Sequence, residues 1–401
     1  MDIVIIGAGL AAAKAAATLR EKGHDGSITV VGEEPHAPSE RPPLSKDLLQ
    51  GESSLEDALV QDPSWYEEND VRLVLGARAE RIDTTEHRVH LAGGEALPYD
   101  KLVLATGATP RGLDLPGADH ALRLRRVEDA EAMRSAFEDA ESVVIVGAGW
   151  IGLEAAAAAR AAGLRTTVLE HSDVPLEKAL GRQMGEHFAQ LHRDHDVDLR
   201  TGVDVGAVTG EGPFAVKIGG DVLETDLVVV AVGAAPATEL AEAAGILVDD
   251  GVMTDEHLVT SDPDVLAIGD VARSYNPTLG TALRVEHWDD ASRQGELAAR
   301  VLLGEDVAYD WLPFFFTDQY DLGMEYVGHG SADDETLVRG DQASGEFVAF
   351  WLDGDRVTAG MNVNVWDVND DIRALVGRSV DRERLVDTDV PLAEVAGGSA
   401  G

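Results

Sequence analysis

IVIIGAGLAAAKAAATLREKG, residues 3–23, and VVIVGAGWIGLEAAAAARAAG, residues 143–163, are two versions of one stretch. Each is a β-branched run, a turn of small residues and an Ala-rich helix. The first turn is a GxGxxA built on Gly7, Gly9 and Ala12; the second is a GxGxxG built on Gly147, Gly149 and Gly152. Small residues there let the backbone approach a diphosphate, and the helix start offers unpaired N–H groups with partial positive charge. The strand after each turn ends on an acid, Glu33 in the first and Glu170 in the second. A carboxylate at that place accepts the ribose hydroxyls of a dinucleotide and repels a 2'-phosphate. Glu170 therefore points to NADH over NADPH, a preference that His171 and Lys178 close by would soften.

Outward from these turns, short β-branched runs alternate with helical stretches, the pattern of doubly wound α/β sheets. Strands are expected at 3–6, 27–31, 101–105, 142–146, 165–169, 227–232 and 265–268, and helices at 10–21, 128–139, 151–162, 182–194 and 290–303. From about Tyr309 the texture changes to alternating aromatic-rich runs such as LPFFFTDQY and GEFVAFWL, which predict an antiparallel sheet with a short helix near 371–375. The expected class is α/β, with two Rossmann-like domains and a C-terminal α+β domain. Residues 1–112 with 235–307 would form a discontinuous first dinucleotide-binding domain, 113–234 a second one and 308–401 the C-terminal domain, with chain crossings near 109–115 and 233–236. The tail AGGSAG is expected to fray.

Seventy-four acidic against 32 basic residues give a formal charge of -42. Such a surface repels phosphate backbones and anionic headgroups, so no nucleic-acid or membrane partner is expected. No run approaches the roughly 18 apolar residues of a membrane span, and the N-terminus enters a buried strand at once. A soluble, cytoplasmic protein is the expectation, as a monomer or weak homodimer. There is no Cys. Disulfides, thiolate metal sites and thiol relays are thereby impossible, and no metal site is expected.

Two dinucleotide turns do not by themselves distinguish FAD from a second nicotinamide. Two further segments point to FAD at the first turn: LVLATGATPR with Ala105, Thr106 and Gly107, and VLAIGDVA, in which Asp270 and Val271 follow a strand and Asp270 is placed to bind a ribityl hydroxyl. Together with ERPPLSK at 40–46, RVEHW at 284–288, FTDQY at 316–320 and MNVNVWDV at 361–368, these make the chain resemble, over its whole length, the oxygenase-coupled FAD-dependent NADH:ferredoxin reductases of the glutathione-reductase-type fold. The resemblance implies that Arg41 and Lys46 lie along FAD, with Lys46 near the flavin N5 and paired with Glu154. It implies that Glu154 meets the nicotinamide carboxamide and that Trp288 lines the flavin. Lys46, Glu154 and Trp288 are thus the catalytic candidates. Without it, Lys46 reads as a surface cation, Glu154 as a helix-start carboxylate favoured by the dipole, and Trp288 as core. Ile151 and Gly233 join the NAD-site candidates, His287 is taken as a positioning residue, and Phe314, Phe315 and Phe316 are left as core. Ser39 stands where the family often has Tyr.

With no Cys beside the flavin, electrons must leave directly from it. The acceptor implied is a small iron–sulfur ferredoxin serving an oxygenase. Arg123, Arg125, Arg126 and Arg284 are the candidate docking cations on an otherwise acidic surface. Two alternatives stay open at this point: a reductase of rubredoxin, a quinone or another small acceptor, and a redox-sensing flavoprotein like the apoptosis-inducing relatives.

Overall fold

In the computed structural model, residues 1–395 are described; the AGGSAG tail lies outside them. The chain divides into two compact units. Residues Met1–Pro42, Ser53–Thr109 and Ala234–Trp311 make the first, and Pro43–Glu52, Pro110–Gly233 and Leu312 onward make the second.

The first unit is organised on a five-stranded parallel sheet in the order Val265–Ala267, Lys101–Leu104, Ile3–Ile6, Ile28–Val31, Val71–Val74. Strands Ile3–Ile6 and Ile28–Val31 are buried at every residue, which is why they read as unbroken β-branched runs rather than alternating ones. Helix Leu10–Glu21 packs against helix Trp288–Leu302 so closely that a Cβ on Gly295 would strike the Ala11 carbonyl. Smaller sheets of Ala79–Asp83, Arg88–Leu91 and Ala96–Pro98, and of Val252–Thr254, Ala272–Asn276 and Thr281–Leu283, complete it.

The second unit repeats the design with a parallel sheet in the order Asp198–Arg200, Arg165–Leu169, Ser142–Val146, Leu227–Val230. It then adds an antiparallel sheet in the order Phe314–Gln319, Leu322–Gly328, Arg356–Val363, Glu346–Asp353, Glu335–Asp341. One core joins the two: Leu180, Met184 and Phe188 pack with Tyr326, Phe347 and Trp351, and the buried Trp351 indole donates to the Leu180 carbonyl at 3.1 Å.

The α/β class and the antiparallel C-terminal sheet are as expected, and the expected strands form with ends within two residues. The helix expected from residue 182 is assigned from Glu177 to Asp194, but Gly181 inside it has φ 72° and ψ 179°, so regular helical geometry runs only from Arg182. The short helix expected at 371–375 spans Asn369–Leu375. Among the described residues no helix is long and apolar enough to cross a membrane.

Candidate active site

Gly7 and Gly147 turn the chain out of their strands with φ 110° and 103°. A Cβ on Gly7 would collide with the Ala105 carbonyl and one on Gly147 with that of Ala231, so only glycine fits either place. Gly9 and Gly149 differ: each is the N-cap of its helix, and a Cβ there would meet nothing within 4 Å. Neither helix has a side-chain cap or an acid in its first turn. Uncapped N–H groups beside open space are what an anionic diphosphate requires, and the residues present fit one at both turns.

Around the first turn, Ala12 is fully buried. The Ala105 carbonyl abuts Gly7, while Thr106 donates to the Ala237 carbonyl at 2.8 Å and Gly107 accepts from the Ala237 N–H at 2.9 Å. A Cβ on Gly32 would strike that of Ala8, so the strand end carrying Glu33 lies against the turn. Glu33 is half-exposed and 3.4 Å from Arg78. Arg41 makes a two-pronged pair with Glu34. Gly269, ahead of Asp270 and the buried Val271, sits beside Ala11 and donates its N–H to Gln294 at 2.8 Å. Trp288 opens its helix and keeps a buried indole N–H without a hydrogen-bond partner, an orphan donor that a bound group would satisfy. His287 is the N-cap of that helix, its Nδ1 accepting from the Asp289 N–H at 3.2 Å.

One group here escaped the sequence. Asp290 is almost fully buried and accepts from Tyr309 at 2.9 Å, Trp311 at 3.3 Å and Gln294 at 2.9 Å. Burial pushes its carboxyl up to about 7. Through Gln294 it braces the Gly269 loop. In the sequence it looks like an ordinary acid of a first helical turn.

At the second turn, Gly152 packs so closely on the Gly147 carbonyl that any side chain would clash. Glu170 is held by two backbone donors, Ala148 at 2.6 Å and Ser172 at 2.8 Å. Its carboxylate is thereby tied to the glycine turn itself. Ile151 and Lys178 are exposed, and His171 faces Asp204 at 2.6 Å rather than Glu170. Gly233 has φ 93° with open space beside it.

The Lys46–Glu154 pair forms, also within the second unit. Lys46 Nζ lies 2.8 Å from Glu154 Oε1, with side-chain exposures of 16% and 5%. The PPLS segment Pro42–Ser45 is a 3-10 turn, and it delivers Ser45, whose hydroxyl donates to Glu154 Oε2 at 2.5 Å. Thr317 donates to Oε1 at 2.6 Å. An ion pair this buried loses more solvation than its Coulomb attraction returns unless further donors complete the carboxylate, and Ser45 and Thr317 do that. Phe316 belongs to the same cluster, its ring centroid 5.4 Å from Lys46 Nζ. Phe315 does pack as core, against Trp150 and Tyr326. Apart from opening FTDQY, Phe316 carries no mark that sets it apart in the three-phenylalanine run.

The docking candidates differ among themselves. The backbone N–H groups of Arg125 and Arg126 both donate to Asp129, at 3.0 and 2.8 Å. Arg123 is half-buried, with an Nε that finds no partner. Arg284 is 13% exposed and pairs with Glu286 and with Asp250.

A sequence model described as pyridine nucleotide-disulphide oxidoreductase matches residues 1–295, and one described as reductase C-terminal matches 314–396. The chain belongs to the pyridine nucleotide-disulphide oxidoreductases. Members of this family bind FAD and depend on NAD(P)H. The chain is similar to the ferredoxin–NAD(+) reductase component of an anthranilate 1,2-dioxygenase system from Burkholderia cepacia, at 38% identity over 97% of this chain and 98% of that one. It is similar to putidaredoxin reductase from Pseudomonas putida, at 35% identity over 98% and 96%. Among solved structures, the covalent putidaredoxin reductase–putidaredoxin complex superposes with a TM-score of 0.94 at 35% identity, covering 99% of both chains. The disulphide of the family description has no counterpart here, since the chain has no Cys.

Proposed function

We propose that the protein is an NADH-dependent FAD reductase that passes electrons to a small iron–sulfur ferredoxin and through it to an oxygenase. The observation that carries this is the absence of any Cys in a chain that matches ferredoxin reductases from end to end. Relatives that reduce disulfides need a thiol pair, and none is possible here. FAD, when bound, supplies two-electron uptake from a nicotinamide and release in single steps.

In this proposal Gly7, Gly9 and Ala12 admit the FAD diphosphate, Glu33 takes its ribose hydroxyls, and Arg41, Ala105, Thr106, Gly107, Asp270, Val271 and Trp288 line the rest. Gly147, Gly149, Ile151 and Gly152 hold the NADH diphosphate, Glu170 its ribose, and Lys178 and Gly233 border it. Glu154, held by Lys46, orients the nicotinamide. Residues 1–112 with 235–307 serve FAD, 113–234 serve NADH, and 308–401 form the C-terminal domain. Arg123, Arg125 and Arg126 meet an acidic ferredoxin. Arg284, tied to its own carboxylates, contributes least. The protein works as a monomer or weak homodimer in the cytoplasm, and its charge of -42 supports the absence of nucleic-acid and membrane partners.

The test is an anaerobic NADH titration followed by cytochrome c reduction with and without a 2Fe–2S ferredoxin. Flavin bleaching by NADH and cytochrome reduction that depends on the ferredoxin are expected. Bleaching followed by turnover with a soluble quinone but none with any ferredoxin would overturn the acceptor assignment.

A further inference from the structure

FTDQY, residues 316–320, contributes more than Phe316 and Thr317. Gln319 Nε2 donates to Thr317 Oγ1 at 3.2 Å, Gln319 Oε1 lies 2.9 Å from His192 Nε2, and the Tyr320 hydroxyl lies 3.1 Å from His192 Nδ1. With the Thr317 bond to Glu154, this is an unbroken chain of side chains running from Tyr320 to the candidate site. Thr317, Gln319 and His192 are at most 1% exposed, and every member lies in the second unit.

The chain has one possible direction. A carboxylate paired with Lys46 only accepts, so the single hydroxyl hydrogen of Thr317 is committed to Glu154. Thr317 Oγ1 must then accept from Gln319, which turns the amide NH2 toward Thr317 and the amide oxygen toward His192. That oxygen requires a hydrogen on His192 Nε2. In the neutral ring Nδ1 is then bare, and it accepts the Tyr320 hydroxyl. Burial pushes His192 down to about 4, with Gln319 and His195 its other polar neighbours, so the ring is neutral at ordinary pH. Tyr320 adopts a left-handed backbone, φ 57°, which is costly for a bulky residue. Its ring stacks on His195 at 3.7 Å, which together with the His192 bond offsets that cost. Apolar side chains would fill this space with less desolvation, so the polar chain has to be explained by what stands at its end.

We propose that His192 and Gln319 are positioning residues that act through Thr317, holding the Glu154 carboxylate in one orientation for the nicotinamide. This rests on the role proposed for Glu154. No proton travels along the chain, since the Gln319 amide cannot relay one without ceasing to be an amide.

The experiment compares Thr317→Val, Thr317→Ser and Gln319→Glu with Glu154→Gln, all as holoenzyme. The readouts are stopped-flow flavin reduction at saturating NADH, FAD content, Tm, and the 15N spectrum of labelled histidines, with the His192 signal identified by its loss in His192→Phe. Gln319→Glu keeps the size but accepts from Thr317, and so pulls that hydroxyl away from Glu154. Thr317→Val and Gln319→Glu are each expected to slow reduction about tenfold with FAD content unchanged and Tm lowered, since each leaves a buried polar group short of a partner, Thr317→Ser to recover most of the rate and of the Tm, and His192 to carry its hydrogen on Nε2. If Glu154→Gln slows reduction while Thr317→Val and Gln319→Glu do not, the chain is not a positioning device. If Glu154→Gln itself reduces at the wild-type rate, the role of Glu154 fails first. A hydrogen on Nδ1 overturns the direction. Should the buried variants not fold, Tyr320→Phe at the half-buried end is expected to lose about threefold, and an unchanged rate there overturns the proposal.

Discussion

The two glycine turns share a backbone and differ in what surrounds it. At the first, the third position is a fully buried Ala12, and Glu33 at the strand end is half-exposed beside Arg78. At the second, Gly152 leaves no room for any side chain, and Glu170 is tied by two backbone N–H groups to the turn. Seven residues after the first glycine of the turn, the helices diverge further: Lys14 is half-buried where the second helix has Glu154, enclosed by Ser45, Lys46 and Thr317. One repeated motif thus supports a clamp in one place and a clamp with a charged group beside it in the other. The difference lies in side chains brought in from outside the motif.

The largest effects are expected at the glycines. Gly7→Ala and Gly147→Ala place a Cβ on a carbonyl at positive φ, and each is expected to cost the folded protein, read as insoluble or FAD-free product. Gly9→Ala and Gly149→Ala put the Cβ in open space, so Tm of the apoprotein should hold while nucleotide affinity falls about tenfold or more. Gly9→Ala should lower FAD retention and Gly149→Ala should raise the KM for NADH, measured by ultrafiltration and steady-state kinetics. If both affected the same nucleotide, the two turns would not have separate ligands.

Glu154→Gln is expected to slow flavin reduction by about tenfold to a hundredfold with FAD retained, because it leaves Lys46 buried beside a neutral amide. A smaller effect is expected of Glu170→Ala: the ratio of kcat/KM for NADPH to that for NADH should rise about tenfold, and an unchanged ratio would remove Glu170 from the ribose site. The smallest effect concerns stability alone. Asp290 has its folded pKa raised to about 7, so the folded state binds the extra proton and its advantage is present below the unfolded value near 4. As pH rises from about 4 to about 7 that advantage is lost, and above 7 the contribution is level. Asp290→Asn should therefore flatten the fall of Tm across that window, which scanning calorimetry at pH 5 and pH 8 would show.

Much of this molecule is legible along the chain. Strand Ile3–Ile6 and helix Leu10–Glu21 lie where the pattern puts them, because burial on both faces demands continuous β-branched residues and the turn demands glycine. Only family resemblance pairs Lys46 with Glu154 from sequence, since 108 residues separate them. Phe316 and Asp290 were missed for a related reason. A phenylalanine in a run of three and an acid in a first helical turn carry no local mark of what they face, and Arg284 likewise does not reveal that Asp250 and Glu286 already occupy it.

Local steric rules decide backbone conformation from neighbours in sequence, so the positions of strands along the chain, the two glycine turns and the acids that close the following strands can all be read from residues alone. Solvation and hydrogen-bond completion depend on which groups fold brings within about 3 Å, whatever their separation along the chain. For that reason the enclosure of Glu154, the brace under the Gly269 loop and the directed chain from Tyr320 exist only in the tertiary structure.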